Sequence, residues 1–204
     1  MRHYYKVFDV SIITYISQNV ETENAEIASI RLGGNKFVVL SKYEKTPYIH
    51  TREYETKSNG SLFPTKRGVA LNESRLSEFL DRVDDISSIV RGEKIASPQL
   101  RVPTIDERHL GGGVMVTIKK EFKCVDFRRY FKPENSQTPV PTKSGIHVKF
   151  SEWNRLISII KKYRKMEPEF KEPKACRYNE DHQNQIGALR CRECNPFNND
   201  YLDY

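Results

Sequence analysis

Apolar residues along this chain follow two rhythms, and each rhythm occurs twice. Short runs rich in Val, Ile, Tyr and Phe, broken by Gly, Pro, Asn and Ser, mark half-buried strands; stripes at helical spacing follow them. The first set reads Lys36-Phe37-Val38-Val39-Leu40, then Tyr48 to Tyr54, then Pro64-Thr65-Lys66-Arg67-Gly68-Val69. The second reads Val114-Met115-Val116-Thr117-Ile118, then Cys124 to Tyr130, then Pro141-Thr142-Lys143-Ser144-Gly145-Ile146. Arg52 and Pro64 stand 12 residues apart and Arg128 and Pro141 stand 13, while Gly68 to Leu76 and Gly145 to Trp153 are both 8. This shared order and spacing predict a tandem duplication of a unit about 60–70 residues long. Leu76, Phe79, Leu80, Val83 and Ile86, with Asn72 as N-cap, predict one helix closing the first unit. Trp153, Leu156, Ile157, Ile160 and Tyr163 behind Ser151 predict its counterpart.

Strands precede helices and never alternate with them, so the expected class is α+β: two tandem units, each an antiparallel sheet of about four strands followed by an amphipathic helix. The expected division is an N-terminal extension at 1–29, a first unit at 30–90, a linker at 91–110 containing Pro98 and Pro103, a second unit at 111–165 and a tail at 166–204. Within the extension, Val7 to Tyr15 has the pattern of an added strand, and Asn198 to Tyr204 at the far end reads as acidic and disordered. Gly33-Gly34 and Gly111-Gly112-Gly113 stand before the first strand of each unit. A phosphate cradle needs a strand before its glycines and a helix after them, so no nucleotide-binding loop is expected.

With 204 residues and 37% apolar composition, the chain has no apolar run approaching the ~20 residues that a membrane-spanning helix requires. Its first residues, Met1 to Lys6, lack the pattern of a secretory signal. Four cysteines are too few for a disulfide framework, and a reducing compartment is expected.

The net charge of +7 is unevenly placed. Residues 30–90 carry 10 basic and 8 acidic side chains, whereas residues 111–165 carry 13 basic and 4 acidic. The second unit is the electropositive one, and a polyanion is its natural partner. A charge run alone can be a solvated face. Here, however, Phe122, Phe127, Tyr130 and Phe131 are interleaved with Lys119, Lys120, Lys123, Arg128, Arg129 and Lys132. Strict strand alternation places Phe127, Arg129 and Phe131 on one face and Arg128, Tyr130 and Lys132 on the other. One aromatic set must fill the core, and the other lies beside cations, as a platform for unpaired bases requires. A duplex hides those base faces, so single strands or melted regions are the expected ligand.

These segments resemble the single-stranded-DNA-binding domain of the transcriptional coactivator positive cofactor four. The first unit follows that pattern without a gap from Lys36 through Arg52-Glu53-Tyr54 to Asn72; the second rejoins it at Arg128, at Lys143-Ser144-Gly145-Ile146 and at Trp153. The resemblance implies a strongly curved four-stranded sheet, pairing of two such units through their helices, and two grooves for single strands. A tandem chain can build the pair from itself, or two chains can pair. By the same resemblance, the nucleic-acid residues of the first unit are Lys36, Tyr43, Lys45, Arg52, Lys66 and Arg67. The family's second stacking ring is replaced by Glu55, and a family lysine by Phe63. In the second unit that ring is present as Phe131, with Arg128 and Lys143 matching; Lys119, Lys120, Phe122 and Lys123 match by neighbourhood. The second unit is therefore expected to bind and the first to contribute mainly pairing. The resemblance also implies a nuclear location and a place beside the transcription machinery.

Cys176, His182, Cys191 and Cys194 form a Cys-x5-His-x8-Cys-x2-Cys series in the tail. Three thiolates and an imidazole suit a structural zinc, because four protein ligands leave no open position for water. Cys124, by contrast, falls in a strand and reads as a buried apolar residue. The five histidines are scattered, and no nucleophile–base pairing or local metal-binding carboxylate motif is present in the sequence, so no enzyme is expected. The function expected from all of this is sequence-tolerant binding of single-stranded or melted DNA, with RNA left open, in transcription or DNA maintenance. The alternative is a protein-interaction adaptor built on the same duplicated fold.

Overall fold

The computed structural model describes residues 24–93, 107–182 and 185–197. The strand pattern at Val7–Tyr15 and the acidic end at Asn198–Tyr204 lie outside the described residues. A first antiparallel meander runs β1 (Asn24–Gly33), β2 (Lys36–Tyr43), β3 (Thr46–Thr56) and β4 (Leu62–Leu71). A second repeats it with β5 (Glu107–Gly111), β6 (Val114–Lys119), β7 (Cys124–Phe131) and β8 (Val140–Lys149). Each sheet thus opens one strand earlier than the apolar runs indicated. β1 begins inside the stretch assigned to the extension, and β5 inside the stretch assigned to the linker. The two glycine runs turn hairpins between two strands, β1 to β2 and β5 to β6.

The helical ends differ in detail from the periodicity. In the first unit the stripe is divided between α1 (Glu73–Leu80) and α2 (Val83–Val90). Asn72 caps α1, its side chain accepting from Arg75 N–H at 3.0 Å. The break has a local cause. The Arg82 guanidinium takes the Glu78 carbonyl, and the Arg82 N–H falls back on Phe79 O at 3.0 Å. In the second unit α3 spans Phe150–Met166, its N-cap Lys149 standing two residues ahead of the Ser151 cap that the sequence indicated. Glu152 performs the capping instead, accepting the Lys149 N–H at 2.9 Å.

Both units share one core. The ring of Phe79 on α1 lies 5.6 Å from Phe127 on β7 and 6.0 Å from Trp153 on α3. Trp153 donates its indole N–H to Ser87 on α2 at 2.9 Å, and Tyr163 on α3 donates to the Val38 carbonyl on β2 at 2.8 Å. Each of these contacts joins one unit to the other. Among the described residues, no helix is long and apolar enough to cross a membrane.

Candidate nucleic-acid interface and metal centre

The Pro-Thr-Lys-x-Gly stretch builds the same device in both units. Pairing between β3 and β4 jumps from Arg52↔Gly68 to Tyr54↔Pro64, and between β7 and β8 from Arg128↔Gly145 to Tyr130↔Pro141. Three residues of the later strand therefore oppose one of the earlier. The threonine holds the bulge. Thr65 Oγ1 donates to Glu53 O at 2.9 Å and accepts from Arg67 N–H at 3.0 Å. Thr142 Oγ1 donates to Arg129 O at 2.7 Å and accepts from Ser144 N–H at 3.1 Å. Backbone groups orphaned by the bulge are satisfied in this way, and Lys66, Arg67 and Lys143 are left exposed. The glycine closes it: a Cβ on Gly68 would sit 2.5 Å from Thr51 O, and one on Gly145 2.8 Å from Phe127 O.

Two rings of β7 end in different surroundings. Phe127 is 3% exposed and belongs to the core, whereas Phe131 is 52% exposed. The register shift, whose extra residues lie on β8, falls between the two rings at Arg129. Arg128 is half-buried and held from several sides. Its Nε and Nη2 donate to Asp126 Oδ2 and Oδ1 at 3.1 and 3.2 Å, and its Nη1 to Thr142 O at 2.8 Å. Asp126 is 2% exposed and also meets Lys119 Nζ at 3.0 Å and His147 Nε2 at 3.1 Å. Two permanent cations thus share one buried carboxylate, leaving the cluster electropositive. Lys120 and Lys123 are exposed on the β6–β7 hairpin, with Phe122 between them at 72% exposure.

The first sheet carries different groups at the matching places. Arg52 Nη2 lies 3.5 Å from His50 Nδ1, where Arg128 has Asp126. Burial, and then the Arg52 charge, push the His50 imidazole down from 6.5 to about 4. Burial likewise raises Glu26, against the pull of Ser29 and Arg52. A cleft of about 370 Å³ lies there, bordered by Glu26, Tyr43, Tyr48 and His50. Tyr43 is 54% exposed beside the two-residue turn Glu44-Lys45, both with positive φ (49° and 66°) as a type I′ hairpin needs. Lys45 and Glu55 are exposed. Lys36 faces elsewhere: it is 9% exposed, 2.5 Å from Glu152 Oε2 and 3.0 Å from His147 O, in the seam with the second unit.

Cys176, His182, Cys191 and Cys194 come together, their ligand atoms all within 4.8 Å of one another. Cys176 Sγ is 3.5 Å from Cys191 Sγ and 3.5 Å from His182 Nδ1, and Cys194 Sγ is 3.4 Å from the same nitrogen. Such edges suit a tetrahedral set with metal–sulfur bonds of ~2.3 Å. Cys124 is buried in β7, far along the chain from this group, and burial raises its thiol.

Of the expected site residues, Arg128 and Lys119 meet at Asp126, the four tail ligands come to one point, and Lys143 stands exposed in the bulge. Asp126, His147, Thr65 and Thr142 were not singled out by sequence as site residues. The available signal was the two-residue offset of Asp126 from Arg128 on a strand, which puts them on one face. No curated protein matches the chain. A family model described as Transcriptional Coactivator p15 (PC4) matches residues 30–82, from within β1 to just before α2. Over those residues the chain is similar to the Transcriptional Coactivator p15 (PC4) family, and its second four-stranded sheet with the following helix repeats that architecture.

Proposed function

We propose that this chain is a non-enzymatic, sequence-tolerant binder of single-stranded or melted DNA, acting in the nucleus beside the transcription machinery or in DNA maintenance. The observation that carries the reading is Phe131, a ring 52% exposed on the strand that also holds Arg128, with Lys143 exposed in the adjacent bulge. A ring beside cations takes the face of an unpaired base while the cations follow phosphates. Phe122, Lys120 and Lys123 extend the surface, and Lys119 supplies charge to its edge. In the first unit Tyr43, Lys45, Arg52, Lys66 and Arg67 form a weaker second groove, with Glu55 where the second unit has Phe131. Lys36 belongs to the seam instead. The two units act as a pair within one chain, and the tail ligands hold a structural zinc.

The test is fluorescence anisotropy with labelled oligothymidine over a salt series, with the matching oligouridine as competitor. Affinity should fall with a log–log slope of about −0.7 per neutralised phosphate. Phe131→Ala combined with Arg128→Ala should weaken binding by about tenfold to a hundredfold, since one stacked base contributes ~1–3 kcal/mol. Unchanged affinity in the double variant overturns the assignment. The adaptor reading is favoured by one observation, Glu55, whose carboxylate repels phosphate; a wild-type chain that ignores oligothymidine would establish it.

A further inference from the structure

We propose that the Cys/His tail is a metal-dependent latch that fastens the first unit to the second, with Glu193 as the residue that closes it. The proposal rests on reading the four tail ligands as a zinc centre, and it assigns that centre a task.

The ligands stand on different units. Cys176 is seated on the first: its N–H donates to Ser74 Oγ at 2.8 Å, and the Lys174 N–H donates to Glu73 Oε1 at 3.1 Å, both in the opening turn of α1. Arg177 pairs with Glu78 and Asp81 along the same helix and its end. Cys191 and Cys194 are seated on the second. Between them, the Glu193 carbonyl accepts the Gly112 N–H at 3.0 Å, and just beyond them the Phe197 ring lies 6.0 Å from His109. Glu193 then reaches back. Its carboxylate meets Arg75 Nη2 at 2.5 Å, Arg75 Nε at 2.9 Å and Asn72 Nδ2 at 3.3 Å, all at the start of α1. One residue therefore grips both units, main chain to one and side chain to the other.

The Gly111-Gly112-Gly113 run, which no phosphate site explains, is the seat for this grip. A Cβ on Gly112 would lie 2.0 Å from Arg75 Nη2, and one on Gly111 2.7 Å from Glu193 Oε2. Both glycines also have positive φ, 55° and 129°. A side chain there would have to push the ends of Arg75 and Glu193 out of the space they fill. Binding of a metal by Cys191 and Cys194 fixes the turn that presents Glu193, a turn also closed by Asn195 N–H to Cys191 O at 2.8 Å. Freedom lost to the metal need not be lost again when the latch closes, so the two events are coupled, and coupling is reciprocal.

The experiment uses the full chain, with zinc content read by native mass spectrometry and amide hydrogen exchange followed at Gly112 and through residues 73–76. Chelation should release the zinc and speed Gly112 exchange about tenfold or more, the scale of one lost hydrogen bond to a fixed acceptor. Glu193→Ala should keep its zinc and the main-chain acceptor of Gly112 yet speed exchange through residues 73–76, where its carboxylate held Arg75 and Asn72, which separates the latch from folding of the tail. Zinc lost with Gly112 exchange unmoved, or Glu193→Ala with exchange through residues 73–76 unmoved, overturns the latch alone. An untreated chain that carries no zinc overturns the metal centre and with it the metal dependence.

Discussion

Asp126 shows how much of a charged surface can be organised by a residue that never reaches it. A carboxylate at 2% exposure survives ionised only when cations and donors replace its water. Lys119, Arg128 and His147 do so here, and in return the Arg128 guanidinium is aimed and stiffened. Asp126→Asn keeps the shape and removes the charge. It should lower unfolding stability by about 2 kcal/mol in urea titrations, the range for hydrogen bonds to charged groups, and weaken oligothymidine binding although residue 126 touches no ligand. The basic residues around it could be read directly from composition and interleaving, because excess charge survives any fold. Their anchoring was legible only in part: the two-residue offset puts Asp126 and Arg128 on one strand face, whereas Lys119 and His147 arrive from the neighbouring strands. Lys36 is the converse: its type pointed to phosphate, yet a glutamate more than a hundred residues away claims it.

At the level of elements, the repeated strands and both amphipathic stripes were legible because period-two and period-3.6 patterns are local properties. β1 and β5 were missed as members of the sheets. Each is interrupted by register shifts, between Glu26 and Ala28 and between Arg31 and Gly33 in one, and between His109 and Gly111 in the other. Such irregularities scramble alternation. The break between α1 and α2 was equally invisible, being made by one side chain competing for one carbonyl. The threonine-held bulge is the element that both copies retain most faithfully, and its glycine is its tightest point. Gly145→Ala would force a Cβ to 2.8 Å from Phe127 O and 2.9 Å from Arg128 Cζ. The strand must shift, costing about 1–3 kcal/mol. Thermal unfolding should show the loss, and oligothymidine affinity should drop because Arg128 is displaced with it.

Across the whole molecule, one core serves two units, so a disturbance in either is felt by both. The imidazole of His50 gives a way to measure this. The unfolded chain takes up that proton near 6.5, while the folded chain resists until about 4. Stability is thus complete above pH 6.5 and is lost as pH falls toward 4, by about 2 kcal/mol at pH 5. Urea midpoints at pH 7.5 and pH 5 should differ accordingly, and His50→Gln should remove the share that His50 contributes, leaving that of His109, whose imidazole burial also lowers. A single cooperative transition containing residues of both sheets is expected, because Phe79, Phe127 and Trp153 cannot separate without opening the centre.

Joining the two copies covalently has one more effect. A pair made from identical chains must repeat every substitution on both sides, whereas here Glu55 and Phe131, or His50 and Asp126, have been free to diverge. The particle consequently has a front and a back. If the chain grips DNA as proposed, the wall that bears Glu55 and the wall that bears Phe131 would treat two separated strands unequally.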